Sequence, residues 1–312
     1  MSSSDARLYL VWFAAAAAVG FAAFLALHVG IDPYGQMPRT AWLCGDGIKD
    51  PRGAKRLIAP VRRPEEVLIG NSRVAAGFAR RDVEALTGRR AANLALDNAS
   101  LEEVEMLARH ALAEAPVRRL WIGLDFAMFV DPASGVSEQR TPWLRGLLDP
   151  RAMAATVLVL RERERCRAAI DRDGFMIAPV PPRDADGDAR TFKARDPSPF
   201  LGRRVQPGRS MSLVRLLDEA GALRVDTVVF LAPVHPAFRD ELKRAGLEAA
   251  ERQWRRDIAR AVAGRARFVD MEAVELPAAC AASSAAACPF SDPLHYRPSV
   301  GRRLIEAGLA AR

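Results

Sequence analysis

A serine hydroxyl becomes a useful nucleophile only when a neighbouring base takes its proton, and that base works best when a carboxylate orients it. The chain holds these three residue types in two short segments, Gly70-Asn71-Ser72-Arg73 and Asp292-Pro293-Leu294-His295-Tyr296. With Ser72 as nucleophile, His295 as proton acceptor and Asp292 as orienting carboxylate, they make an acyl-transfer site if the fold brings them together. Asn98 and Asp125 each follow a short apolar run. With Asn71, Arg73 and His235 they are the candidates for holding a substrate or a developing oxyanion. Arg73 suits an anionic substrate group and, equally, an ion pair with Asp125. His235 follows an Ala-Pro-Val strand end, where it could contact substrate or be an ordinary loop histidine.

Positioning these residues requires strands that end where they begin. Residues 67–70, 92–96 and 120–124 are short, largely apolar runs, the pattern of strands buried on both faces of a parallel sheet, and strands are also expected over 227–231 and 267–270. Between them lie helical patterns. Ser100 is a good N-cap, with Glu102 and Glu103 in the first turn of a helix expected over 101–114. Further helices are expected near 212–220, between 236 and 263, and from Pro298 to the C-terminus. Strands alternating with helices predict a three-layer α/β/α sandwich around a central, mainly parallel sheet. In such sheets ligands bind beyond the carboxyl ends of the strands, where Ser72, Asn98, Asp125 and His235 all fall. The stretch at about 131–208 interrupts the alternation. It reads as an insertion with a helix over 150–167 and a Pro/Gly/Asp-rich segment, suited to a lid or a substrate-contacting element.

The N-terminus carries a different signal. From Leu8 to Ile31 there is no Asp, Glu, Lys or Arg. A bilayer-spanning helix needs roughly 20 apolar residues, whereas the apolar core of a cleaved signal is shorter. The expected organisation is therefore a tail at 1–7, an uncleaved anchor at 8–31, a Gly/Pro-rich juxtamembrane linker at 32–64 and an α/β domain at 65–312. Basic residues after the anchor (Arg39, Lys49, Arg52, Lys55) outnumber the lone Arg7 before it, which by the positive-inside count puts the C-terminal side in the cytoplasm. Cys280 and Cys288 bracket a loop easily closed by a disulfide, which favours an oxidising compartment instead.

Composition narrows the function. Forty-six Lys and Arg against 38 Asp and Glu give a net charge of +8, but the basic residues are dispersed and interleaved with acids. No aromatic-interleaved basic stripe or recognition-helix signature points to nucleic acid. Four histidines without metal-ligand spacing argue against a metal site, and the absence of phosphate-binding glycine motifs argues against a nucleotide cofactor. No cofactor is expected.

Taken in order, the blocks resemble the SGNH (GDSL-type) hydrolase superfamily, in which an early Ser follows the first strand and a late Asp-x-x-His supplies acid and base. Asp32-Pro33-Tyr34-Gly35 after a single helix, with Gly70-Asn71-Ser72-Arg73 in place of Gly-Asp-Ser, is similar to a bacterial membrane-anchored subgroup. The resemblance implies an SGNH/flavodoxin-like sheet, a glycan or other acyl-ester substrate, and esterase or O-acetyltransferase activity on cell-surface polysaccharide. It also implies polysaccharide-assembly partners, and an inner-membrane protein with a periplasmic domain. It assigns the oxyanion hole to the Ser72 N–H, a backbone N–H at Asn98 or Ala99, and an Asn amide at the place occupied here by Asp125. An ionised Asp accepts only. Asp125 is therefore protonated, orients another group, or holds Arg73. A degenerate site kept for binding or assembly is the alternative to an enzyme.

Overall fold

The computed structural model describes residues 3–34, 48, 51–130, 150–161, 170–177, 200, 202–206, 208–271, 289–292 and 294–311. Gly35, Cys280 and Cys288 lie outside the described residues, as does the disulfide expected between the two cysteines. The chain forms two compact units, one of residues 1–54 and 139–172, the other of 55–138 and 173–312.

The first unit contains α1 (Ser3–Ile31). Within it the apolar span Asp5–Ile31 has a mean hydropathy of 2.3 and an 18-residue stretch with no buried residue, so α1 is long and apolar enough to cross a membrane. Its last turn and the Asp32-Pro33-Tyr34 that follow are mostly buried. A helix from the insertion belongs to this same unit.

The chain then enters the second unit through α2 (Pro51–Arg62), where the sequence predicts linker. Pro51 suits a first helical turn, and Ala54, Leu57 and Ile58 repeat at i, i+3, i+4 and are buried. That periodicity overrides the Gly/Pro content. Lys55 is buried too, its ammonium donating to the carbonyls of Asn93 and Gly174.

The second unit is built on five parallel strands: β1 (Glu66–Ile69), β2 (Ala91–Asn93), β3 (Arg119–Leu124), β4 (Asp226–Leu231) and β5 (Arg267–Asp270). Their spatial order is β2-β1-β3-β4-β5. Every described side chain of β1 and β2 is buried, as are all but the first in β3 and β4. This explains why the strands read as unbroken apolar runs rather than alternating ones. On one face lie α4 (Arg80–Thr87) and α11 (Pro298–Ala310), packed on Leu68, Trp121, Val228, Phe230 and Val269. Strand alternation turns Val67, Ile122 and Val229 to the other face, where α5 (Leu101–Glu114) packs on β1 and α8 (Arg209–Ala222) on β4. The α/β/α sandwich with a parallel sheet is thus present, and α5 has the bounds expected for it. Ser100 and Glu103 close a reciprocal capping box at its start.

The single helix expected between 236 and 263 is two, α9 (Pro236–Arg244) and α10 (Glu248–Val262). Gly246, at φ 70°, adopts the left-handed conformation that ends the first. Strand order places the site. The chain leaves β1 for β2 on one side and returns to β3 on the other, so the loops after β1 and β3 diverge. That divergence opens a crevice at the carboxyl edge, the usual ligand site of such sheets.

Close packing beneath the crevice relies on missing side chains. The short helix α3 (Ser72–Ala76) follows β1 directly, and Val74 sits where a Cβ on Gly70 or Gly123 would be. At the other end of α3, Gly301 of α11 packs so tightly that an added Cβ would collide with the Gly77 carbonyl. Gly301→Ala is expected to lower stability by about 1–3 kcal/mol through overpacking. The check is the urea midpoint of the detergent-solubilised full chain. Gly221→Ala, in open space on α8, should leave the midpoint unchanged or raise it.

Candidate active site

Chain segments far apart in the sequence converge on one cavity of about 600 Å³. The loop after β1 gives Asn71, Ser72 and Arg73, the loop after β2 gives Asp97, Asn98 and Ala99, and the loop after β3 gives Asp125, Ala127 and Met128. Phe238 comes from α9, and Leu294 and His295 from the segment before α11. The two sequence-distant halves of the expected triad therefore line the same space.

The Asp292–His295 segment is shaped by its own backbone. Phe290 and Tyr296 form an antiparallel bridge, the Ser291 N–H donates to the His295 carbonyl (2.8 Å), and the Arg297 N–H donates to that of Pro289 (2.8 Å). Inside this closed loop the Asp292 carboxylate accepts from the N–H groups of Leu294 (2.7 Å) and His295 (2.9 Å). It also lies 2.8 Å from His295 Nδ1. Burial alone would raise the Asp292 carboxyl. The His295 ring's hydrogen bond and charge and the two backbone donors outweigh that and hold it below its ordinary value. The spacing Asp-x-x-His thus performs one local task. It fixes a carboxylate on Nδ1 and leaves Nε2 as the nitrogen able to take a proton.

This loop is seated against α3 through Tyr296, which is fully buried. Its ring meets Phe78 edge-on at 6.1 Å, and Phe78 meets Phe230 of β4 at 5.8 Å. Burial pushes the Tyr296 hydroxyl well up, partly offset by the Arg73 charge. Asn93, at the end of β2, clamps the other side of α3 by donating from Nδ2 to the Val74 carbonyl (3.0 Å).

Ser72 is the first residue of α3, so its N–H has no intrahelical acceptor. Asn71 caps the helix, its Oδ1 accepting from the Arg73 N–H at 3.1 Å. Asn71 Nδ2 donates to Asp125 Oδ2 at 3.2 Å. Asn98 adopts φ 51°, a left-handed conformation that Asn tolerates better than most residues. Ser72 and His295 face the same cavity without a hydrogen bond between them; in unliganded sites such bonds commonly tighten only on binding.

Of the three possibilities left by the sequence, the structure gives Asp125 to Arg73. Arg73 Nε lies 2.8 Å from Asp125 Oδ2, both side chains are 5% exposed, and the other oxygen, Oδ1, accepts from the Ala127 N–H at 2.9 Å. The guanidinium stacks on the Phe238 ring at 4.7 Å. His235 is not among the residues that line this cavity. It caps α9, with Nδ1 accepting from the Ala237 N–H at 3.1 Å, and its buried ring packs edge-on against Phe290. Pro236 as the first helical residue was the available signal for a cap there.

The sequence did not reveal the rest of the wall. Met176, Phe200 and Arg203, all from the insertion, line the cavity with Met128 and Phe238. The insertion is split: residues 139–172 group with α1, whereas residues from 173 onward belong with the sheet. Its second half therefore supplies side chains to the cavity wall.

No protein-family model matches the chain, and no curated protein matches it. Solved structures with similar backbones exist. One is a protein from Streptococcus pneumonia provisionally assigned as a platelet activating factor, 11% identical, covering 83% of this chain and 89% of its own, with a TM-score of 0.42. Another is a protein from Bacteroides fragilis provisionally assigned as an acylhydrolase, 13% identical, covering 90% and 96%, with a TM-score of 0.38. A GDSL-like lipase from Bacteroides thetaiotaomicron is likewise similar at 11% identity, covering 84% of this chain and 98% of its own, with a TM-score of 0.42.

Proposed function

We propose that this chain is a serine-dependent acyl-ester enzyme of the SGNH type, held at the cell envelope by α1 and acting on a polysaccharide or other glycan as a hydrolase or an O-acetyltransferase. The observation that carries this reading is the shared cavity of Ser72 and the Asp292–His295 pair. Ser72 Oγ attacks the ester carbonyl while His295 Nε2 takes its proton. Asp292 holds the imidazole with Nδ1–H and stabilises the imidazolium that forms. The tetrahedral oxyanion is met by the Ser72 N–H and a backbone N–H of Asn98 or Ala99. His295 then returns the proton to the leaving alcohol, and water or a sugar hydroxyl resolves the acyl-enzyme.

A second reading, a non-catalytic glycan-binding or assembly protein, draws on Asp125. Its carboxylate is committed to Arg73 and supplies no third oxyanion donor. Loss of one such donor costs about 10²–10³ in rate.

Three measurements separate and test these readings. On an aryl acetate, with the full chain in detergent, Ser72→Ala and His295→Ala should each lower kcat/KM by about 10²-fold or more. A serine-reactive phosphonate should label Ser72 only in chains with a serine at that position. Equal background in all three proteins together with no labelling favours the binding reading. For Asp292, a folded-state pKa below the unfolded one means its contribution to stability is present above the unfolded value, about 3.9, and is lost as pH falls through the folded value. Asp292→Asn should therefore flatten the acid limb of urea midpoint against pH. Asp125→Asn removes the counter-charge of a buried guanidinium and should cost about 3–5 kcal/mol in the same measurement. A near-neutral result would show that the pair does not hold Arg73.

A further inference from the structure

The helix that the insertion contributes to the first unit is α7 (Pro150–Arg161). Its sequence, Pro150-Arg151-Ala152-Met153-Ala154-Ala155-Thr156-Val157-Leu158-Val159-Leu160-Arg161, carries no charge between its flanking arginines. One face is buried: Ala155, Thr156 and Val159, with α7 packed on α1 and Thr156 Oγ1 2.5 Å from His28 Nδ1. The opposite face should be polar if it met water. Instead it presents Ala154, Val157, Leu158 and Leu160, with Val157 50%, Leu158 42% and Leu160 48% exposed. A helix apolar on both faces has an apolar neighbour on both. On one side that neighbour is α1.

The position of α7 along α1 identifies the other. The 27-residue span Asp5–Ile31 is about 40 Å long, some 10 Å more than the roughly 30 Å hydrocarbon core. With the span centred in the bilayer, His28 falls at the boundary between acyl chains and headgroups. A helix bonded to His28 therefore lies at that depth. Its uncharged run is far shorter than the roughly 20 residues a crossing needs, so it cannot span. We propose that α7 is a second membrane contact, lying in the headgroup boundary beside the end of α1. Val157, Leu158 and Leu160 enter the lipid, and the exposed Arg161 at its end meets anionic headgroups. This rests on α1 being a membrane anchor, and the test separates the two ideas.

The full chain is reconstituted in vesicles of phosphatidylethanolamine and phosphatidylglycerol with a photoreactive residue at one position at a time. Leu158→p-benzoylphenylalanine and Val157→p-benzoylphenylalanine are the test positions. Phe21→p-benzoylphenylalanine on α1 is the anchor control, and Leu223→p-benzoylphenylalanine, an exposed apolar site on the α/β unit, is the water-facing control. Phospholipid adducts at Leu158, Val157 and Phe21, with their loss at Leu223, are expected. An adduct at Phe21 but at neither α7 position overturns the second contact alone, as does cross-linking of α7 only to this chain or to a second copy. No adduct at Phe21 overturns the anchor and the proposal with it.

Discussion

Everything at the candidate site depends on how closely α3 lies against its surroundings. A nucleophile and a base supplied by opposite ends of a chain meet only if the elements carrying them touch backbone to backbone. Here that closeness comes from glycines. Gly70 and Gly123 leave the room that Val74 fills above the strand ends, and Gly77 and Gly301 let the C-terminal helix reach the far end of α3. Tyr296, one residue from His295, fills the remaining space against Gly77 and Phe78. The same packing that buries the tyrosine holds its neighbour His295 at the cavity that Ser72 lines. Site geometry and core packing are in this respect one property.

The Arg73–Asp125 pair is the second constraint, and it is electrostatic. A guanidinium 5% exposed at the end of a sheet needs a counter-charge, and an amide at position 125 would not provide one. Arg73 and the carboxylate after β3 thus form a unit, with Asn71 joining them by one hydrogen bond to Asp125 and another from the Arg73 N–H. The pair is neutral as a whole, so it fixes the loops after β1 and β3 to each other without adding net charge to the cavity.

Much of this was legible in the sequence because each feature was local. The strands announced themselves as short apolar runs, since both faces of the sheet are covered. The Ser100 cap and the Asp292–His295 spacing were legible because their hydrogen bonds close within a few residues. Other features depend on tertiary contacts. Nothing in the composition around Phe200 or Met176 says that these residues reach the cavity, and the partner of Asp125 could be named only among alternatives. The helix α2 was hidden by its Gly and Pro, although its apolar spacing was present. His235 was left open between a substrate contact and an ordinary loop histidine, because its packing against Phe290 is a contact far away in the sequence.

The walls of the cavity bear on which acceptor ends the reaction. Hydrolysis and transfer share the acyl-enzyme and differ in whether water or an alcohol reaches it first. Met128, Met176, Phe200, Phe238 and Leu294 surround the polar residues with apolar surface, the kind of lining that excludes loosely held water once a ligand fills the space. Two of the five, Met176 and Phe200, come from the insertion rather than from the sheet. Under the function proposed above, this lining would enclose an acyl group carried on Ser72, and the outcome turns on which hydroxyl, water's or a sugar's, reaches the enclosed ester.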